Sequence, residues 1–306
     1  MRIARDKVYN QFVGGVEPRM SVTSGDRLTV ETLDALFNRS ADVRDGKLPE
    51  GYIIARANPA TGPIYVNGAM PGDTLEIEIH DIKLVGNGFL NIPNSGTPTC
   101  NTYNGREYVE VEALEILTAE GESQQLLRVL YNDKIFPARP MIGVIGVAAS
   151  PASPGMWYSV ETGNHGGNMD NNMITAGVKV YLPVFVEGAL LGIGDIHGIM
   201  GDGEVFGQGV EIWADVDITI DVRRDMKINR PLVISDELIS TAASADTMEE
   251  ASELAVSDMR FILETHYNMP PVDAALAIAF YGNLRVCQIV NPQKTMRMEI
   301  RKDILK

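Results

Sequence analysis

The chain is poor in the residues that usually announce a function. Only two cysteines occur in 306 residues, Cys100 and Cys287. Their spacing matches neither a zinc knuckle nor a redox pair, so both read as buried filler in a reduced, cytoplasmic setting. No run reaches the ~18 apolar residues that a membrane helix needs. No apolar stretch follows the start Met-Arg-Ile-Ala-Arg-Asp-Lys, so no secretory signal is expected. Basic residues are scarce beside acidic ones, 26 against 41, for a net charge of −15. That balance disfavours nucleic acid and anionic membranes as partners and leaves a small neutral molecule or a cation. Also missing are a Gly-x-Ser-x-Gly elbow, His-Glu-x-x-His, a phosphate loop ending in Gly-Lys-Ser/Thr, and a Gly-x-Gly-x-x-Gly after a strand. Serine-elbow hydrolysis and nucleotide chemistry are disfavoured accordingly.

What is present is a chain 45% hydrophobic, enough for a sizeable core, and a strong β pattern. From Ile212 to Val222, apolar residues alternate with Trp213, Asp215, Asp217, Thr219 and Asp221, which predicts a strand with one buried face. Val178 to Val186 alternates similarly. Leu75, Ile77 and Ile79 lie on one parity, Ile82 and Leu84 on the other, and a bulge near His80-Asp81 would reconcile them. Tyr108–Leu117, Leu126–Tyr131, Ile142–Val147 and Leu284–Val290 complete the strand candidates.

Helical signals concentrate near the C-terminus, at about 245–282. Thr247 and Glu250 have capping-box spacing. Ala251, Leu254, Ala255, Met259, Ile262 and Leu263 keep a 3.6 period, and His266 continues that face as a structural histidine. A second helix is expected from Pro270-Pro271 to before Gly282. Its Ala-Ala-Leu-Ala-Ile-Ala-Phe run is apolar all round and predicts burial. The sum is a mostly β fold with an α+β part, sandwich-like β subdomains and helices near the C-terminus. An internal echo, Val66-Asn67-Gly68-Ala69 against Val186-Glu187-Gly188-Ala189, fits two related hairpins or a shared turn composition.

Chemistry concentrates between Gly192 and Glu211. One of only four histidines, His197, sits there with Asp195, Asp202, Glu204 and Glu211 among several glycines. On a strand, Asp195 and His197 would share a face and could bind a divalent ion together, leaving a spare carboxylate to carry protons. A polar turn whose aspartates cap amides is the plainer alternative. Glu161 to Asn172 holds His165, Gly166, Gly167, Asn168 and Asp170, where glycine amides could face a developing oxyanion or merely form a turn. Glu31 and Asp34 are acids in mostly apolar surroundings, readable as ordinary surface charge. His80-Asp81 draws notice only at the pattern break.

These residues resemble the acetamidase/formamidase family. The likeness is carried by Ser24-Gly25-Asp26, Glu31-Thr32-Leu33-Asp34-Ala35, Thr61–Ala69 with Pro71-Gly72-Asp73, Gly143–Ala148 and His165–Asp170. Its most specific part is Gly194-Asp195-Ile196-His197 with Gly201-Asp202-Gly203-Glu204-Val205. The resemblance implies one catalytic unit over 1–306, a homo-oligomer, and hydrolysis of a short aliphatic amide to carboxylate and ammonia. Ile199-Met200 and Phe206 depart from the family's usual Ala-Gln and Cys, which leaves substrate size open.

On that footing Asp195 and His197 are expected to bind a divalent metal, zinc or else calcium, with Asp34 or Glu31 completing the shell. Glu204 would move the proton, with Asp202 and Asp170 beside it in the catalytic group. His165, Gly166, Gly167 and Asn168 would hold the amide. Another hydrolase of cyclic or larger amides, a β-sandwich with structural calcium, and an amide-binding regulatory protein are the competing readings.

Overall fold

The computed structural model describes residues 1–36, 58–92, 107–153, 155 and 157–305. Cys100 and Ala57 lie outside them. The described residues form nineteen strands and two α-helices, a mostly β fold built on one curled, hydrogen-bonded sheet system.

Two long antiparallel strands form its spine. Thr74–Ile92 pairs with Glu211–Arg223 along nearly the whole length of the latter. Ala214, Val216, Ile218 and Ile220 are buried, and Asp215, Asp217 and Thr219 between them are half-buried. Asp217 faces Asp81 while Ile218 faces Ile79, so His80 is the extra residue of a bulge. Two residues opposing one shifts the side-chain parity, which puts Ile77, Ile79, Ile82 and Leu84 all in the core. His80 accepts or donates across the sheet to Thr219 at 2.7 Å.

The 178–186 segment is a shorter strand than its alternation predicts, Lys179–Pro183. Its remainder bends into the turn around Gly188. That turn and the one around Gly68 are alike: Ala69 N–H donates to the Val66 carbonyl and Ala189 N–H to that of Val186, each at 3.1 Å. The two turns also bond each other, Val66 N–H to the Gly188 carbonyl and Gly188 N–H to that of Ala69. Their flanking strands pair crosswise, Ala60–Asn67 with Leu191–His197 and Thr74–Ile92 with Lys179–Pro183. The sequence echo therefore marks two similar turns packed as a reciprocal pair, not two hairpins, because the strands that each turn joins pair with those of the other turn.

The first helix runs Met248–Thr265, and Thr247 Oγ1 accepts from Glu250 N–H. Glu249 and Glu250 in its first turn oppose the positive end of the helix dipole. Its face of Ala251, Ala255, Met259, Ile262 and Leu263 is buried, with Leu254 half-buried. That face packs on the strands Leu238–Ala245 and Lys294–Arg301. His266 caps the C-terminus and contacts the Lys227 carbonyl at 3.0 Å.

The second helix, Pro271–Tyr281, is not the buried helix that its composition predicts. Only Ala274 is buried, while Val272 and Phe280 are each 70% exposed. An all-round apolar helix must bury its sides somewhere, but this chain covers only one of them. No helix among the described residues is long and apolar enough to cross a membrane.

Candidate active site

Four carboxylates and one imidazole converge where three strands meet. Leu191–His197 pairs with Met141–Gly146 on one side and Ala60–Asn67 on the other, and His197 faces Glu211 in register. His197 Nε2 lies 3.2 Å from Glu211 Oε1 and 3.7 Å from Asp195 Oδ1. One ligand atom each from Asp170, Asp195 and His197 fall within 4.8 Å of one another, and so do one each from His197, Glu204 and Glu211. All five residues are buried, none more than 6% exposed.

The backbone is bent to bring these groups in. Asp170, Asp195 and Glu204 have φ of +44°, +54° and +47°. Non-glycine residues seldom adopt this left-handed region, and such strain gathers at functional sites. Space is made by glycine. A Cβ on Gly143 would sit 2.6 Å from Asp170 Oδ1 and 2.9 Å from Asp195 Oδ2. A Cβ on Gly209 would sit 2.6 Å from His197 Cγ. Two amides steer the outer oxygens: Asn58 Nδ2 donates to Asp195 Oδ2 and Asn291 Nδ2 to Asp170 Oδ2, both at 2.8 Å.

The inner oxygens are unserved. Among the described residues no hydrogen-bond donor reaches Asp170 Oδ1, Asp195 Oδ1, Glu204 Oε2 or Glu211 Oε2, and His197 Nδ1 also lacks a partner. Burial, then repulsion from Asp195, pushes the Asp170 carboxyl up to about 6. Burial, with Asp195 adding to it and His197 opposing it, pushes Glu211 up to about 8. Glu204 is held well above the carboxylate range by burial and then by Asp170. Burial works against a charged His197, yet Glu211 and Asp195 hold its pKa well above the ordinary value. One imidazolium cannot balance four buried carboxylates, and uncompensated buried charge is costly. Such a site must take up protons or a cation.

Other sequence-selected residues are engaged by neighbours of their own. Glu31 binds Arg2 at 2.6 Å and Arg5 at 3.4 Å, beside Asp215. Arg2 holds its carboxyl below the usual range, against the opposing effect of burial. Asp34 is buried and accepts from Leu36 N–H at 2.9 Å. Neither is among the groups gathered around His197. Asp202, two residues before Glu204, is bound by Arg297 Nη2 at 2.8 Å and Asn172 Nδ2 at 2.9 Å.

Gly166–Asn168 forms a short strand paired on both sides, with Thr162–Gly163 and with Met141–Gly146. Its backbone is engaged in the sheet. The Asn168 Oδ1 is buried and has no partner among the described residues. His165 is buried against Phe12 and Trp157, with ring centroids 5.5 and 5.0 Å away. Burial lowers its pKa to about 3, so the ring is neutral, and Nε2 has no partner among the described residues. A cavity of about 320 Å³ opens against His165 and Trp157, next to Gln293 and Leu254. Asn58 and Asn291 carry no local sequence signal. Glu211 belongs to the acid-rich stretch that the sequence marks, but its place beside the imidazole shows only when the strand it begins is paired with the one that ends in His197.

A site of buried acids around one histidine on a curled β-sheet defines a class. The model of the Acetamidase/Formamidase family matches residues 1–164 and 157–250, and the chain belongs to that family. Formamidase of Methylophilus methylotrophus is 26% identical over 248 residues, covering 65% of this chain and 60% of the relative. Acetamidase of Mycolicibacterium smegmatis is 28% identical over 215 residues, covering 54% and 51%. The chain thus spans only about half to three-fifths of the length of these relatives. Among solved structures, a predicted acetamidase/formamidase from Thermoanaerobacter tengcongensis superposes with TM-score 0.87 at 36% identity, covering 99% of this chain and 96% of that one. An acetamidase from Bacillus halodurans gives 0.84 at 32% identity, covering 99% and 98%.

Proposed function

We propose that the protein hydrolyses a linear amide to carboxylate and ammonia at the His197 cluster. The observation that carries this reading is the set of buried carboxylate oxygens that no donor among the described residues serves, gathered around one imidazole. Family membership supplies the reaction class.

The mixed oxygen and nitrogen donor set fits a divalent ion such as zinc. Calcium prefers oxygen alone, and His197 belongs to both ligand groups, which favours zinc. Asp170, Asp195, His197 and Glu211 would hold the ion. Bound there, it would supply Lewis acidity, bringing the ionisation of a water at the site toward pH ~7. Glu204 is the proton carrier. As a carboxylate it would take one proton from the attacking water and deliver that same proton to the leaving nitrogen, and burial and Asp170, which hold its pKa well above the carboxylate range, favour its keeping the proton between the two transfers. Ammonia leaves poorly unless protonated, so this delivery is a requirement of the reaction. Asn168 Oδ1 and His165 Nε2 are buried polar atoms available to orient the amide. The backbones of Gly166 and Gly167 shape that wall from within the sheet. Asp202, held by Arg297, acts by anchoring the loop that presents Glu204 rather than by moving protons. Asp34 and Glu31 remain outside this ligand set.

The exposed side of Pro271–Tyr281 suits contact with a second copy, the homo-oligomer that family resemblance implies. Phe280→Glu should shift the light-scattering mass toward the monomer, and an unchanged mass would remove that face from the interface.

The activity test is ammonia release from a panel of primary amides, with chelator and with zinc restored. Release that chelator abolishes and zinc restores is expected. Release indifferent to exhaustive chelation contradicts the metal; no release from any amide contradicts the hydrolase.

A further inference from the structure

The Glu204 loop walls a cleft of about 240 Å³. Glu204 itself lines the cleft, and so does Gly209, where an added Cβ would meet His197 Cγ at 2.6 Å. The cleft therefore reaches the acid cluster from outside. Its remaining surface is largely apolar: Leu90, Ile199, Met200, Phe206 and Val210 all face it. These side chains are half-buried and are not filled over by the rest of the described chain.

Size and polarity together select a ligand. At about 30 Å³ for each water, the cleft has room for roughly eight waters. Formamide has three non-hydrogen atoms and acetamide four, so either would leave about half of the space empty or wet. An apolar wall gains nothing from water and gains from each methylene that replaces it. Ammonia release allows no substituent on the leaving nitrogen, so added bulk can sit only on the acyl carbon.

We propose that this cleft is an acyl-chain pocket and that the preferred substrate is a primary amide with an apolar acyl group longer than acetyl. The inference rests on the amide-hydrolase reading of the adjoining cluster. Phe206, Ile199 and Met200 are specificity-determining residues. They touch the chain of the substrate, while Glu204 meets its nitrogen at the inner end of the cleft.

Two measurements on the zinc-loaded, full-length protein test this: calorimetric binding and kcat/KM for acetamide, butyramide and hexanamide. Each added methylene is worth about threefold to fourfold, so hexanamide should exceed acetamide by at least about tenfold in both. Phe206→Gln should narrow the hexanamide-to-acetamide ratio at least about fivefold, while Phe206→Leu should keep it. The Leu variant guards against misreading a folding defect. Equal or better use of acetamide by the wild type, or a ratio unmoved by Phe206→Gln, overturns the pocket and leaves the hydrolase standing. Tighter binding of hexanamide without turnover of any amide sustains the pocket and overturns the hydrolase.

Discussion

Asp202 and Glu204 are separated by one glycine, yet their surroundings are opposite. Asp202 faces Arg297, which also binds Glu299 at 2.6 Å, and Glu299 in turn meets Arg285 at 3.0 Å. Every acid in that network has a guanidinium. Across the loop, Glu204 turns into a cluster where four acids share one histidine. The first arrangement is complete and holds the loop to the Lys294–Arg301 strand. The second has one imidazolium for four acids and is poised to receive further positive charge. Similar side chains thus become scaffold or chemistry according to whether the fold supplies their counter-charge.

Exchanging acid for amide should separate the two regions most sharply. Glu204→Gln is expected to lower kcat by about 10²–10⁴-fold, the span of general acid–base catalysis, with zinc still bound. Asp202→Asn keeps the shape and part of the hydrogen bonding, and should cost kcat far less. Steady-state kinetics on the two variants would break the comparison if Asp202 proved the more sensitive.

Stability should show the reverse ranking. Arg297→Met leaves the buried Glu299 with Arg285 alone and takes from Asp202 its closest guanidinium, and breaking a buried pair costs about 3–5 kcal/mol. Urea unfolding of the zinc-free protein would measure it. A loss under about 1 kcal/mol would mean that the network is ornamental.

The acid cluster should also reveal itself through pH. Burial raises Glu211 to about 8 and Asp170 to about 6 in the folded protein. The metal-free native state therefore binds more protons than the unfolded chain, so its stability falls as pH rises from the ordinary carboxylate range through about 8. Bound zinc would supply the missing charge and should flatten that decline. Melting temperatures between pH 5 and 9, with and without zinc, check it; a metal-free protein that gains stability over this range contradicts the assignment.

A smaller effect is expected at Gly143. A methyl there would press on Asp170 and on the Asp195 carbonyl, 2.8 Å away. Gly143→Ala should weaken zinc binding by about 10–100-fold, as misplaced ligand orientation does, with the fold retained.

How far these regions were legible in the sequence depended on range. The Glu211–Arg223 strand, the bulge at His80 and the Thr247 cap are local patterns, and each appears where its spacing predicts. The second helix misled because an apolar run reports a need for burial without saying which chain supplies it. Asp195 and His197 share a face through a local spacing, but Asn58 reaches Asp195 across 137 residues and Asn291 reaches Asp170 across 121. Glu31 looked like a candidate ligand because Arg2 and Arg5, its partners, come alongside only when the first strand pairs in parallel with Asp26–Glu31. Residue chemistry finds acids; only the fold tells which of them lack a cation.

The most direct test is zinc content, measured by elemental analysis after dialysis against trace zinc, in wild type, Glu204→Gln and His197→Ala. The account predicts stoichiometric zinc in the first two, almost none in the third, and amide hydrolysis in the wild type alone. A zinc-free wild type that hydrolyses amides, or His197→Ala retaining full zinc, would contradict it.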